Sequence, residues 1–370
     1  MRVAIDAIPL LLRSAGVKTY LYNWISHLRT TARDAEVLAF PFLHSFGEFS
    51  HERSVVGPVS TWARIAFLMA GNYSPVSLFD WFGPKIDLFH ASHQMRNPPR
   101  KCRLTATVYD MTCWLMPEMH SRANVAANHV FIESIAKRAD GLIAISENTR
   151  QDLIRLAGVR PERVKVIYPG VSEAFFNATP DSAHAVRAKF GLSRPYVVAI
   201  GTIEPRKNID RLLDAWDALT PDVRDEYELV LAGPIGWAEP QTIARLKSGA
   251  SGIRYLGYVS DADLPGLTRG ASAFAYPSLY EGFGLPVGEA MAAGVPVVTS
   301  AISSMPEVAG GAALLADPRS TEEIRGALER LLCSASLRAD LSTRGRKVAE
   351  RYRWEQCAVD SWRFFESLCS

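Results

Sequence analysis

The chain has 370 residues, more than a single hydrophobic core usually serves, so two domains are expected. A hydrophobic fraction of 48%, a charged fraction of 22% and a net charge of +2 are those of an ordinary globular protein and give no reason to invoke nucleic acid as a partner. Five scattered cysteines (Cys102, Cys113, Cys333, Cys357, Cys369) include no C-x-x-C pair, which argues against a disulfide framework or a zinc site and suits a reducing compartment.

The opening "MRVAIDAIPLLL" carries an arginine and a short apolar run, but Asp6 interrupts it; it reads as a first strand and not as a signal peptide. No apolar segment reaches the ~20 residues needed to span a bilayer. Short runs rich in Val, Ile and aromatics then predict strands at 3–6, 37–42, 87–92, 104–110, 141–146 and 164–170. A second series follows at 196–202, 228–233, 253–257, 273–278, 296–300 and 313–317, with amphipathic helices such as 207–219 and 321–333 between strands. Apolar strands without alternation, separated by helices, indicate parallel sheets covered on both faces. The reading is α/β, with two doubly wound domains, 1–175 and 176–351, whose border lies near the polar, small-residue stretch "SEAFFNATPDS" (172–182). Ligands of such sheets bind beyond the carboxyl ends of the strands, and two facing domains would place the site in the cleft between them.

The stretch "SLYEGFGLPVGEAMAAG" (278–294) sits at one such strand end and sets Glu281 and Glu289 on either side of a glycine-rich turn. Gly282, Gly284 and Pro286 rule against one helix running on from Glu281. The glycines of "EGFG" let backbone N–H groups approach a ligand closely, and a helix starting near Pro286 would add its positive dipole, a combination suited to a diphosphate. Glu289 is placed on the first turn of that helix, where an acid also complements the dipole. "GTIEPRKN" (201–208) follows another strand and carries Arg206 and Lys207; a merely solvated basic pair opening a helix would oppose its dipole.

These segments resemble a known family. "PSLYEGFGLPVGEAMAAGVPVV" is similar to the E-x(7)-E signature of retaining glycosyltransferases of family four, which have the two-domain GT-B fold. The resemblance extends in order through "AIDAIPL", "GVKTY", "PEMH", "ADGLIAISENTRQDL", "VIYPGV", "GTIEPRKN", "LGYVSDADLPGL" and "SSMPEVAGGAALLADP". It implies two Rossmann-like domains facing a central cleft, an acceptor-side domain first and a nucleotide-sugar domain second, with the helix at 352–370 packing back on the first. It implies a donor held by Glu281 beside the transferred sugar, by Glu289 on the ribose diol, and by Gly282, Phe283, Gly284 and Leu285 around the phosphates. Lys207 matches the family lysine that stabilises the departing diphosphate. Many members carry arginine directly after the strand-end glycine, where this chain has Thr202, and Arg206 stands in reach to substitute. Tyr258, Val259 and Leu264 fall where the base is met.

In the first domain, Gly16 falls on the family's loop toward the donor phosphates, or is a plain turn residue; Lys18 replaces a second glycine common there. "TATVYDMT" departs from the family's His-Asp: Tyr109 replaces the histidine and Asp110 is retained. A phenol with its ordinary pKa near 10 is a poor proton carrier at neutral pH. His90 and His93, in "FHASHQ" one strand earlier, are candidates for the sugar contact, or are structural.

The function implied is retaining transfer of a sugar, mannose from GDP-mannose as first choice, to a saccharide or lipid-linked glycan acceptor in polysaccharide biosynthesis. No cofactor or metal is expected, since no D-x-D triad sits at a strand end in a convincing setting. A catalytically silent GT-B subunit that binds a nucleotide or a partner enzyme is the alternative; a nicotinamide dehydrogenase is set aside because no G-x-G-x-x-G follows a predicted strand. The expected location is cytoplasmic. The aromatic-rich segment 60–85 and "MRNPPRKCR" (95–103) would give peripheral contact with the inner face of a membrane, or would be a covering helix and a solvated loop.

Overall fold

The computed structural model describes residues 1–12, 16–32, 35–41, 43, 46–47, 53–74, 79–82, 84–92 and 95–370. Its contacts divide the chain into two units: Met1–Gly170 with Trp354–Ser370, and Val171–Arg353. Each unit is built on one six-stranded sheet in which every pairing is parallel.

In the first unit the strands are β1 (Arg2–Asp6), β2 (Glu36–Phe40), β3 (Leu88–Ala91), β4 (Arg103–Val108), β5 (Gly141–Ala144) and β6 (Val164–Val166), in the order β2-β1-β3-β4-β5-β6. In the second they are β7 (Tyr196–Ile200), β8 (Glu228–Ala232), β9 (Ile253–Gly257), β10 (Ala273–Tyr276), β11 (Val297–Ser300) and β12 (Ala313–Ala316), in the order β12-β11-β10-β7-β8-β9. Both are doubly wound α/β sheets, and the second has the strand order of a dinucleotide-binding Rossmann sheet. The order reverses between β1 and β3 in one unit and between β7 and β10 in the other. Those two reversals open a crevice at the carboxyl edge of each sheet.

All twelve predicted strands are present; β1, β9 and β11 end where their apolar runs end and the other nine stop short of theirs, and residue 42 lies outside the described residues. The overshoot matters at β4, which ends at Val108 and leaves Tyr109 and Asp110 on the loop beyond it. The helix expected at 207–219 is Ile209–Asp217, and Pro205–Lys207 form a separate 3-10 turn ahead of it. Lys207 therefore precedes the helix and does not open it. Leu212, Leu213 and Trp216 on that helix, with Leu328 and Leu331 on the helix Thr321–Leu332, fill the core on one face of the second sheet.

The helix Trp354–Cys369 packs against the helix Gly16–Thr31 of the first unit. Trp24 Nε1 donates to Ser361 Oγ at 2.9 Å, and Trp354 stacks edge-on to Tyr20 with centroids 5.6 Å apart. Gly170 is required by this packing, because a Cβ there would lie 2.3 Å from the Trp354 ring.

Candidate active site

The second unit gathers a charged cluster at its β7/β10 reversal. After β7 the chain makes the turn Pro205–Lys207, then Asn208 with φ of 60°, a conformation that Asn tolerates better than most residues. The Asn208 amide donates to the carbonyls of Pro277 at 2.9 Å and Pro318 at 2.6 Å, and the Leu279 amide donates to the Arg206 carbonyl at 2.8 Å. These bonds tie the loop after β7 to the loops after β10 and β12.

Across that seam Lys207 Nζ lies 2.7 Å from Glu281 Oε1, and Arg206 Nη1 lies 2.8 Å from Glu281 Oε2. Arg206 Nη2 pairs in turn with Glu204 Oε1 at 2.6 Å. The Tyr276 hydroxyl, at the end of β10, accepts from Lys207 Nζ and donates to Glu281 Oε1 at 3.1 Å. Two cations and two carboxylates thus form one buried, formally neutral group. Burial alone would raise the Glu281 carboxyl, but Arg206 and Lys207 outweigh it and bring its pKa down to about 2. Burial lowers the Lys207 ammonium, with Glu281 opposing that shift. The Tyr276 phenol is pushed well up by burial and then by Glu281. A small pocket beside the cluster is lined by Gly201, Lys207, Tyr276 and Pro277, among others.

The glycine loop continues from Glu281. Gly282, Phe283 and Gly284 are buried, and Ser304 Oγ donates to the carbonyls of Glu281 and Phe283, both at 2.9 Å. Gly284 has φ of 96°, which favours glycine, and the Met305 methyl, the movable end of its side chain, fills the space where a Cβ would stand. Gly284 caps the helix Leu285–Ala292, whose N-terminus has no side-chain cap; Pro286 brings no N–H there, and the Val287 amide donates to the Gly284 carbonyl at 2.9 Å. Glu289 is the fifth residue of this helix and half-buried, one position further in than a start at Pro286 would put it. Thr202 is half-buried directly after Gly201. Tyr258 is exposed and Val259 buried at the end of β9, and Leu264 opens the helix Leu264–Arg269. They lie two strands from β7.

In the first unit the expected residues divide. Gly16 is the exposed first residue of its helix, with nothing within 4 Å of an added Cβ. Asp110 Oδ1 accepts from the Thr112 amide at 2.9 Å and hydroxyl at 2.6 Å, so it fixes the turn after β4. Tyr109 is half-buried, edge-on to Tyr20 at 5.2 Å; burial first, then Asp6 and Cys357, push its phenol upward. Lys18 is buried, with Nζ donating to the carbonyls of Leu12 and Arg53.

His90 corrects the sequence reading. It is 2% exposed, its Nδ1 and Nε2 each lie 2.9 Å from a threonine hydroxyl (Thr105 and Thr107), and Trp24 and Phe365 cover its ring. Burial brings its pKa down to about 3. It is a neutral part of the sheet, not a sugar contact. His93 lies outside the described residues.

Three residues of these edges escaped the sequence reading. Glu204 and Tyr276 complete the Glu281 cluster, and Asp6 ends β1 with its carboxylate accepting from the Ser92 hydroxyl at 2.5 Å and the Ile8 amide at 3.1 Å. Burial raises Asp6 to about 6 against those hydrogen bonds. The available signal was position: each is a polar residue at or just past a strand's carboxyl end. Among the described residues no three His, Cys, Asp or Glu side chains group to hold a metal ion, and no helix is long and apolar enough to cross a membrane.

Two Rossmann-like parallel sheets in one chain are the architecture of the GT-B class of glycosyltransferases. The chain's similarities agree. Residues 184–348 match the model of the glycosyl transferases group 1, and residues 14–175 match that of glycosyltransferase family 4. The O-antigen chain mannosyltransferase B of Escherichia coli is 35% identical over 274 residues, which are 73% of this chain and 72% of that protein. The serotype-specific mannosyltransferase WbdA of Escherichia coli is 30% identical over 228 residues, 60% of this chain but 28% of that longer protein. Among solved structures, Anabaena Alr3699/HepE in complex with UDP and glucose superposes with a TM-score of 0.71 at 20% identity, covering 99% of this chain and 100% of that one. The chain belongs to the family 4, group 1 glycosyltransferases.

Proposed function

We propose that this glycosyltransferase moves mannose from GDP-mannose, with retention of configuration, onto a saccharide or lipid-linked glycan during polysaccharide assembly at the cytoplasmic side. The observation that carries the reading is Glu281, buried and ionised between Arg206 and Lys207 at the β7/β10 reversal. A strand-end acid beside two cations offers a carboxylate to a sugar's hydroxyls and positive charge to its diphosphate in one place. In this proposal Lys207 and Arg206 take up the charge that grows on the diphosphate as the anomeric C–O bond breaks. The acceptor oxygen bonds the same face of the anomeric carbon, and its proton leaves on the departing phosphate oxygen. The amides around Gly282 to Leu285 hold the phosphates, Glu289 accepts from the ribose diol, and Tyr258 and Val259 meet the base. Because two side-chain cations supply the positive charge, we propose that no metal is needed. The mannosyl choice rests on the two Escherichia coli relatives, both named as mannosyltransferases.

The test is a thermal-shift panel of nucleoside diphosphates and nucleotide sugars, with and without magnesium, followed by transfer assays and assignment of the product anomer by NMR. Stabilisation by GDP and GDP-mannose, unaffected by chelator, with an α-linked product, is expected. Selective stabilisation by UDP would replace the donor, and a β-linked product would overturn retention. No nucleotide binding at all would leave a catalytically silent subunit as the reading.

A further inference from the structure

The helix Pro58–Tyr73 in the first unit is apolar on both sides. Leu68 and Gly71 face inward, and the side chain of the only charged residue, Arg64, is turned back to the Pro41 carbonyl at 2.9 Å and to Ser60. The opposite stripe, at helical spacing, is Val59, Trp62, Ala63, Ala66, Met69, Ala70 and Tyr73, and every one of these is exposed. Val59 is 85% exposed, Trp62 72%, Tyr73 66% and Met69 47%. Nine large hydrophobic side chains are exposed among the described residues, and four of them lie on these sixteen residues. An apolar face this concentrated needs a partner.

The rim says which. Arg53 precedes the helix, and Arg96, Arg100 and Lys101 lie beside its end; all four are exposed. The Arg96 guanidinium stands over the Tyr73 ring at 5.6 Å, and the Asn97 amide donates to the Ser74 carbonyl at 3.2 Å, which binds that loop to the helix. Residues 53–74 and 95–103 contain no Asp or Glu, and the Asp80 carboxylate beside them accepts from the Arg100 and Lys101 amides. A second copy of this chain, seated face to face, would set this cationic rim against itself. We propose that the face docks on an anionic phospholipid surface, with the helix lying in the interface plane, Trp62 and Tyr73 at headgroup level and the four cations on the lipid phosphates. The proposal is independent of the sugar that the enzyme transfers.

The test is co-sedimentation of the full chain with vesicles of phosphatidylcholine alone or with a third phosphatidylglycerol. Binding to the anionic vesicles, weakened by salt, is expected. Trp62→Ser with Met69→Ser and Tyr73→Ser should weaken it by at least about tenfold, as should Arg96→Glu with Arg100→Glu. Hydrogen exchange of residues 58–73 in the wild-type chain, slowed by anionic vesicles and not by protein concentration, reads the same face without relying on the folding of a variant. Failure to sediment with anionic vesicles, or exchange protection that grows with protein concentration alone, would overturn the proposal, the second result in favour of self-association.

Discussion

Replacing Glu281 by Gln removes a charge and keeps the shape, so its cost isolates what the two cations do for the carboxylate. The shift of Glu281 from 4.5 to about 2 means that Arg206 and Lys207 overcome burial with about 3 kcal/mol to spare. Burial of the Lys207 ammonium returns part of that. The variant should therefore lose about 2–3 kcal/mol of stability, near the lower end of what removing one partner of a buried pair costs. Lys207→Met should cost less, about 1 kcal/mol, because Arg206 and the Tyr276 hydroxyl still serve Glu281. The double variant should be more stable than the sum of the two single losses predicts, by about 1 kcal/mol or more. Since the folded-state pKa is depressed, this stabilisation is present above pH 4.5 and fades as the pH falls toward 2. Urea titration and calorimetry across that range measure all four numbers. A Glu281→Gln chain as stable as wild type at pH 7, or strictly additive losses, would refute the account of the cluster.

Lys207→Met should also lower turnover on the order of 100-fold if the ammonium meets the leaving diphosphate; single-turnover kinetics check it, and a near-normal rate would move that task to Arg206. Glu289→Ala should weaken nucleotide binding with the melting temperature held, read by isothermal titration. Gly16→Ala should leave stability unchanged or slightly raised, since its added Cβ meets nothing and the residue opens a helix; a fall in activity at constant stability would give Gly16 a role at the donor. His90 stays neutral in the fold down to about pH 3, whereas its unfolded form takes a proton near 6.5, so acid between those values favours unfolding. The stability advantage of wild type over His90→Gln should accordingly shrink from pH 7 to pH 4, by up to about 1.4 kcal/mol per pH unit, in calorimetric scans.

The two sheets could be read because parallel strands are buried on both faces and leave unbroken apolar runs. Most of their carboxyl ends could not, because the apolar run continues into residues that have already left the sheet, as Tyr109 shows. The cluster was half legible. Lys207 and Glu281 stood out beside glycine and proline, but they are 74 positions apart and meet only because β7 pairs with β10, passing over β8 and β9. Tyr276 reaches Lys207 only through that pairing, whereas Glu204 stands two positions from Arg206 in the same loop, and strand-end position was the one signal either carried. His90 misled for the reverse reason. A polar residue near a strand end looks available, yet this one falls under the helices Gly16–Thr31 and Trp354–Cys369, where two threonines satisfy it.

The helix Trp354–Cys369 belongs to the first unit although the whole of the second separates it from the rest of that unit in the chain. Synthesis on the ribosome runs from the amino end, so all six strands of the first unit emerge first, but Val171–Arg353 is complete as one contiguous stretch before the helix that finishes the first unit. Until Ser361 and Phe365 follow, Trp24 lacks its hydrogen-bond acceptor and His90 part of its cover. The amino-terminal unit is then the one completed later, and during that interval it is the open flank of Tyr20 and Trp24 that a chaperone or a neighbouring nascent chain would meet.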